Sequence, residues 1–319
     1  LASANDTETQ EEKIDIRVSI VPSTDGEKIV MRLLSEQSRK LSLEDLGLRT
    51  DDLEKLKKAY QKPHGMLLST GPTGCGKTTT LYAILKILNT RNVNISTIED
   101  PVEYTIEGIT QIQVNAKTNL TFAQGLRSIV RQDPNIILVG EIRDNETADI
   151  AVNAAMTGHL VLSTLHTNDA ATTIPRLIDM NIEPFLIAST INVIVAQRLV
   201  RKVHMGCRAS EERKREELVE LFGETTIAKH FGDEKDIRTY KGNGCPVCQQ
   251  TGYEGRIGAY EIMVVDDEIR QAIVERKDAG EIRKIAVKNG MSTIVDDGLN
   301  KVKEGITTIE EVMRVIQEQ

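Results

Sequence analysis

Five stretches of the 319-residue chain hold residue types whose spacing can do chemistry, and one of them is specific for phosphate. Gly71, Pro72, Thr73, Gly74, Cys75, Gly76, Lys77, Thr78 and Thr79 run consecutively, and the first eight fit G-x-x-x-x-G-K-[ST]. Glycines at these places let backbone N–H groups close around a phosphate. A helix that follows adds about half a positive charge at its N-terminus. Lys77 would neutralise β- and γ-oxygens, and Thr78 would bind Mg²⁺. Cys75 occupies a free position of the pattern, where only its backbone is used. An apolar strand precedes the loop and a good helix former follows it, as the pattern requires. The ligand so implied is ATP with Mg²⁺.

A bound nucleotide does no work without hydrolytic groups, and these must lie downstream. Asn135 to Glu141 reads NIILVGE, an apolar strand ending in a carboxylate. Glu141 fits the Walker B role, close to the Mg²⁺ and the attacking water. Gly140 stands where an Asp usually precedes that Glu. A second acidic group, Glu99, Asp100 and Glu103 in TIEDPVEY, follows the strand 94–99. It sits at a strand's carboxyl end, where open α/β sheets bind ligands. His159 and His166 flank the strand 160–165. Seven residues of extended chain place them ~23 Å apart, so they cannot share a metal. Only His166 lies at the carboxyl end; His159 reads as a hydrogen-bonded structural residue.

The last stretch is H-x-x-C followed by C-x-x-C: His204 and Cys207, then Cys245 and Cys248. Two turns presenting two ligands each suit tetrahedral Zn²⁺. Such a site would be structural, closing the excursion 208–244, with no open position for catalysis.

These residues need elements to position them. After a polar opening (1–13), Ile14–Val21 and Lys28–Leu34 alternate around a Thr-Asp-Gly turn, which predicts a β-hairpin. Asp51–Tyr60 is an amphipathic helix that ends before Pro63. From 65 onward strands (65–70, 94–99, 135–139, 160–165) alternate with helices (77–89, 122–131, 145–156, 169–180). That pattern predicts an α/β fold whose sheet is mostly parallel. Pro184–Arg198 reads as one further helix, 208–243 as a charged helical stretch and then a loop, and the last 55 residues as small helices, among them Ala279–Lys288 and Thr308–Glu318. The expected division is 1–62, a partial N-terminal domain with its linker; 63–200, the phosphate-loop core; 201–258, the zinc module; and 259–319, C-terminal helices.

Composition narrows the function. A net charge of −8 opposes a sequence-independent grip on nucleic-acid backbones, and 3% aromatics without Trp leave little stacking surface. The longest fairly apolar uncharged run, Pro184 to Gln197, is too short for the ~20 residues a membrane span needs. Four cysteines do not make a secreted disulfide framework. The expectation is a cytosolic protein, given as a fragment of a longer chain.

The order GPTGCGKTTTLYA, TIEDPVEY, LRSIVRQDPNIILVGEIRD and TGHLVLSTLHTND resembles the secretion ATPases, and more narrowly the GspE/PilB group of type II secretion and type IV pilus assembly ATPases. The likeness extends to RVSIVPSTDGEKIVMRLL before the loop and GCPVCQQTGYEGRIGAYEIM after it. The resemblance implies a RecA-like motor domain behind a small α+β N-terminal domain, of which only the second half is expected here, without the part that docks to the membrane. It implies a homo-hexamer at the cytoplasmic face of the inner membrane, hydrolysing ATP to assemble pilin or pseudopilin fibres. Its partners would be a platform protein and a cytoplasmic recruiting protein, with no nucleic acid. By position, Glu103 would orient the lytic water, Glu141 would hold Mg²⁺ through water, and His166 would sense the γ-phosphate. Arg17 and Arg32 match N-terminal-domain arginines that reach a nucleotide; Arg127, Arg131, Arg143 and Arg176 match motor-domain arginines. The family commonly has four cysteines where this chain has His204 and three. The competing reading is a RecA-like nucleic-acid motor, which would require basic or aromatic pore loops.

Overall fold

The computed structural model describes residues 14–35 and 41–317, with the side chains of 16–31 and 41–317. It divides into two units, Leu1–Ser42 and Leu43–Gln319. In the first, β1 (Ile14–Ser23) and β2 (Gly26–Ser35) form the expected antiparallel hairpin. Residues 43–62 belong to the second unit, where Leu56 and Tyr60 of α1 (Thr50–Tyr60) are buried.

The second unit is built on strand–helix alternation. In chain order it contains β3 (Gly65–Thr70), α2 (Lys77–Leu88), β4 (Ile95–Glu99), β5 (Thr110–Gln113), α3 (Phe122–Val130), β6 (Ile136–Val139), α4 (Asn145–Met156), β7 (Leu160–Leu165), α5 (Thr173–Asp179), α6 (Pro184–Thr190) and β8 (Ile191–Val203). Then come β9 (Arg208–Lys214), α7 (Arg215–Phe222), α8 (Glu224–Phe231), β10 (Asp236–Gly242), β11 (Tyr253–Val264), α9 (Asp267–Val274), α10 (Ala279–Lys288), α11 (Ile294–Lys303) and α12 (Ile309–Gln317). The central sheet has seven strands in the order β11-β8-β3-β7-β6-β4-β5. All its pairings are parallel except β11 against β8. β3, β4, β6 and β7 are buried along their whole length, as strands covered on both faces must be.

Two expectations are corrected. Pro184–Arg198 is not one helix: α6 ends at Thr190 and β8 begins at Ile191. The β-branched run Ile191, Val193, Ile194 and Val195 pairs with β3 on one side and β11 on the other, and burial from both sides overrides the helical reading. Nor does 208–243 end in a loop. β9 and β10 pair antiparallel and enclose α7 and α8. Leu218, Ile227, Phe231 and Ile237 of this excursion share a core with Leu299, Val302, Ile309 and Val312 of α11 and α12.

α12 is tied to β8 by charge. Glu311 is buried and accepts from the Arg201 backbone N–H (2.7 Å), from Arg201 Nε and Nη2, and from Arg314 Nε and Nη2. Burial alone would raise its carboxyl, but the bonds from Arg314 and Arg201 outweigh it and hold the pKa at about 2. A carboxyl depressed in the fold stabilises above its ordinary pKa of 4.5 and loses that contribution as pH falls toward 2. Glu311→Gln should therefore lower stability at pH 7 by about 2 kcal/mol. It should also flatten the acid dependence of the melting temperature between those two pH values. Thermal melts across that range check both.

Candidate functional site

Parallel strands bring their carboxyl ends to one edge, and β3, β7, β6 and β4 are neighbours there. Each continues into one of the candidate segments. β3 runs into Gly71–Gly76, β7 into His166, β6 into Gly140 and Glu141, and β4 into the turn that leads to Glu103. The crevice outside the carboxyl ends is thus lined by all four.

Gly71 turns the chain at φ 140° where it passes β8; a Cβ there would lie 2.5 Å from the Gln197 carbonyl and 2.7 Å from Cys75 Sγ. Only glycine permits that approach. Lys77 is buried, and its ammonium donates to the carbonyls of Gly71 (2.7 Å) and Pro72 (3.0 Å). Burial pulls the Lys77 pKa below its usual value; the charge of Arg198 adds to this, while Cys75 and Glu141 act against it. Pro72, Thr73 and Gly74 are exposed, and Thr78 and Thr79 half-buried at the start of α2.

Glu141 is 9% exposed. One oxygen accepts from Arg143 (2.6 Å) and the other meets His166 Nε2 at 3.1 Å. Gly140, the departure from the usual Asp, has a steric reason. A Cβ there would come within 3.2 Å of Glu99 Cα and 3.3 Å of the Ile98 carbonyl, so glycine lets β6 and β4 end side by side. Glu103 is half-buried in the turn after β4. His159 Nδ1 meets the Ala154 carbonyl at 2.9 Å, the structural role expected of it.

Three polar residues escaped the sequence reading. The Gln197 side chain, 1% exposed, donates to the Cys75 carbonyl (2.8 Å) and accepts from Thr80 Oγ1 (2.9 Å) and Ser69 Oγ (3.3 Å). One amide thus joins β3, the phosphate loop and α2. Thr70 and Thr167 are joined hydroxyl to hydroxyl at 2.5 Å, and Thr167 N–H donates to Thr70 Oγ1, fastening the turn after His166 to β3. A lone Gln in an apolar strand carries no motif; its only signal was polarity inside the run INVIVAQ.

The four residues of the second cluster also converge. Ligand atoms of His204, Cys207, Cys245 and Cys248 all lie within 4.8 Å of one another. Cys207 and Cys248 sulfurs are 3.9 Å apart, and those of Cys245 and Cys248 3.7 Å. A tetrahedral ion with metal–sulfur bonds of ~2.3 Å needs sulfur–sulfur edges of ~3.7 Å, so the set fits one such ion. His204 turns Nδ1 to the sulfurs of Cys207 (3.4 Å) and Cys245 (3.5 Å) and Nε2 to Glu254 (3.5 Å). Nδ1 is therefore the nitrogen placed to ligate such an ion, with the Glu254 carboxylate behind the ring. Desolvation raises the Cys248 thiol, but N–H donors from Cys245 and Gly252 bring it down to about 6, so it is readily a thiolate.

A family model described as type II/IV secretion system protein matches residues 5–314. The chain belongs to that family. It is 51% identical over 307 residues to type II secretion system protein E of Pseudomonas aeruginosa, covering 96% of this chain and 59% of the relative. It is 50% identical over 301 residues to type IV pilus assembly ATPase PilB of Thermus thermophilus, covering 94% of this chain and 33% of the relative. Among solved structures, the pilus retraction motor PilT with bound ADP gives a TM-score of 0.65 at 26% identity, covering 94% and 77% of the two chains. The ATPase DotB of Legionella pneumophila gives 0.65 at 24%, covering 96% and 73%, a likeness of fold. The chain spans about three-fifths of the Pseudomonas relative and a third of the Thermus one. The GspE/PilB grouping and the RecA-like α/β fold are borne out.

Within this secretion-family chain the expected arginines fall in different places. Arg143 is on Glu141. Arg127 pairs with Glu146 (2.7 Å), Arg131 reaches the Ser128 hydroxyl (3.5 Å), and Arg176 is exposed on α5. Arg17 is exposed on the hairpin directly opposite Arg32, whose side chain lies outside the described residues.

Because the Gln197 side chain reaches the loop through its amide hydrogen bonds, Gln197→Leu keeps the volume and removes them. It should weaken binding of a fluorescent ATP analogue about tenfold. Titration of the variant, with a thermal melt to show the fold intact, checks this.

Proposed function

We propose that the chain is the motor portion of an ATPase whose hydrolysis drives assembly of pilin or pseudopilin fibres, in type II secretion or type IV pilus assembly. One observation carries the reading: a phosphate loop, a Glu141–His166 pair and the Glu103 turn share the carboxyl edge of adjacent parallel strands. The relatives named for secretion and for pilus assembly support the physiological role.

In this mechanism the loop amides and Lys77 hold the β- and γ-phosphates. Lys77 already lies in the mouth of the loop, its ammonium on loop carbonyls that a phosphate would replace as partners. Thr78 and Glu141 offer hydroxyl and carboxylate oxygens, the hard donors Mg²⁺ selects. When bound, that ion screens the charge on the transferring phosphoryl. Glu103 orients the attacking water and takes up its proton. His166, fixed by Glu141, reports whether the γ-phosphate is present. Arg143 turns its exposed guanidinium between Glu141 and solvent, and Arg17, Arg32, Arg127, Arg131 and Arg176 are assigned to neutralising phosphoryl charge in a homo-hexamer. No helix among the described residues is long and apolar enough to cross a membrane. The reading places the assembly at the cytoplasmic face of the inner membrane, held there by a platform protein and a recruiting protein.

The Cys3His cluster is assigned to structural Zn²⁺. Its four donors complete a tetrahedron and leave no position for a reacting water.

Two measurements test these assignments. Lys77→Ala should abolish ATP-analogue binding, while Glu103→Gln and Glu141→Gln should each retain binding and lower hydrolysis about 100-fold or more. Wild-type turnover in both carboxamide variants would remove the mechanism. Metal analysis should find one zinc per chain. Cys245→Ser should lose it and lower the melting temperature, and a metal-free wild type of unchanged stability would refute the cluster's role.

A further inference from the structure

The loop from Asp100 to Ile109 carries Glu103, yet the hydrogen bonds that fix it come from beneath. Tyr82 of α2 is fully buried, and its hydroxyl donates to the Glu99 carboxylate in a very short hydrogen bond. Gln111 Nε2 donates to the same phenol oxygen (3.3 Å). Tyr104 packs edge-on against the Tyr82 ring, with centroids 4.8 Å apart at 80°. Glu99 also accepts from Thr97 Oγ1 (2.5 Å). Gln111 of β5 completes the set, donating to the Tyr104 carbonyl (3.2 Å) and accepting from the Ile106 N–H (2.7 Å).

We propose that Tyr82 and Glu99 are a positioning pair that fastens the Glu103 turn to the helix behind the phosphate loop. α2 starts at the lysine that grips phosphate, and Tyr82 lies five residues on, so the helix is a rigid arm between the two. Neither residue is needed to bind nucleotide: the hydroxyl meets Glu99 and Gln111, and Gln111 holds the Glu103 turn, whereas the loop is braced by Gln197. A polar pair buried this deeply gains stability only if both partners stay in place. The arrangement therefore sets where the Glu103 carboxylate can stand relative to a bound γ-phosphate. A displacement of about 1 Å at a reacting centre can cost 10²-fold in rate. The proposal rests on Glu103 being the carboxylate that faces the lytic water.

The test is ATP hydrolysis and ATP-analogue binding by the full-length protein carrying Tyr82→Phe, Glu99→Gln, Glu103→Gln and the Tyr82→Phe/Glu103→Gln pair. Tyr82→Phe keeps the ring contact with Tyr104 and loses only the hydroxyl. Its kcat should fall about 10- to 100-fold, with KM and analogue affinity within about threefold of wild type. Glu99→Gln still accepts from the phenol and should keep most of the turnover. In the Glu103→Gln background, Tyr82→Phe should cause no further loss, since a merely structural role would subtract independently. Normal turnover in Tyr82→Phe beside an inactive Glu103→Gln overturns the pair while leaving the Glu103 assignment standing. So does a loss of affinity matching the loss of rate, or an additive loss in the double variant. Normal turnover in Glu103→Gln instead removes the assignment of Glu103, and the pair's role with it. Should Tyr82→Phe prove too unstable to purify, Gln111→Met carries the same expectations, because it cuts the two bonds from β5 to this loop.

Discussion

The backbone of β8 is the floor of the phosphate loop. Amides can converge on a phosphate only if the chain turns sharply straight after β3, and the turn at Gly71 rests directly on the Gln197 carbonyl. Any side chain at 71 would prise the loop from the sheet. The same strand then secures the loop from within, through the Gln197 amide on Cys75, Thr80 and Ser69. Everything else at the site follows from that fixed point. β7, β6 and β4 keep parallel register with β3 and with one another, so their carboxyl ends cannot shift without breaking the ladder.

Charge is balanced around this floor. Lys77 and Arg198 are both buried on the loop side, and the charge of Arg198 adds to what burial does in lowering the Lys77 pKa. Two like charges in a low dielectric are costly unless anions offset them. Glu141 supplies part of the compensation, and a triphosphate would supply more. The loop therefore gains affinity for phosphate from cations that the fold has already brought out of water. Glu141 is in turn held between Arg143 and His166, which keeps the carboxylate aimed.

The site was more legible than the fold that carries it. Phosphate loops, strand-end acids and paired metal ligands have local signatures, because their chemistry fixes residue type and spacing over a few positions. The strands at 65–70, 94–99, 135–139 and 160–165 were legible too, each an apolar run of strand length followed by a turn, and the structure moves their bounds by a residue at most. β8 was not. Pro184–Gln197 is apolar throughout and has no period that separates helix from strand, so the switch at Ile191 is decided by pairing with β3 and β11. β9, with the sequence RASEERK, was invisible for the opposite reason. Its charged residues show no apolar face, and it is a strand because β10 pairs with it. Gln197 and the Thr70–Thr167 link were illegible because hydrogen bonding between distant segments leaves no spacing to read.

The Cys3His cluster belongs to the same mechanical unit as the phosphate loop. β8 carries Gln197 beneath the loop and, seven residues on, delivers His204 to the cluster ~23 Å away. β11 leaves the cluster at Tyr253, five residues after Cys248, and returns antiparallel along β8 with Ala196 opposite Glu261. Glu261 is buried there and accepts from the Ala170 N–H, in the turn that follows His166. The two strands thus run from the cluster to opposite sides of the candidate site, one to the phosphate loop and one to the histidine turn. Their far ends diverge into the excursion of β9, α7, α8 and β10, and backbone pairing alone must resist fraying where the register of β11 slips between Tyr253 and Arg256. A tetrahedral ion at that point would close the ends of both strands at once. A filled cluster would thus be structural and yet bear on the candidate site: what it would hold together is the pair of strands on which the loop and the His166 turn rest.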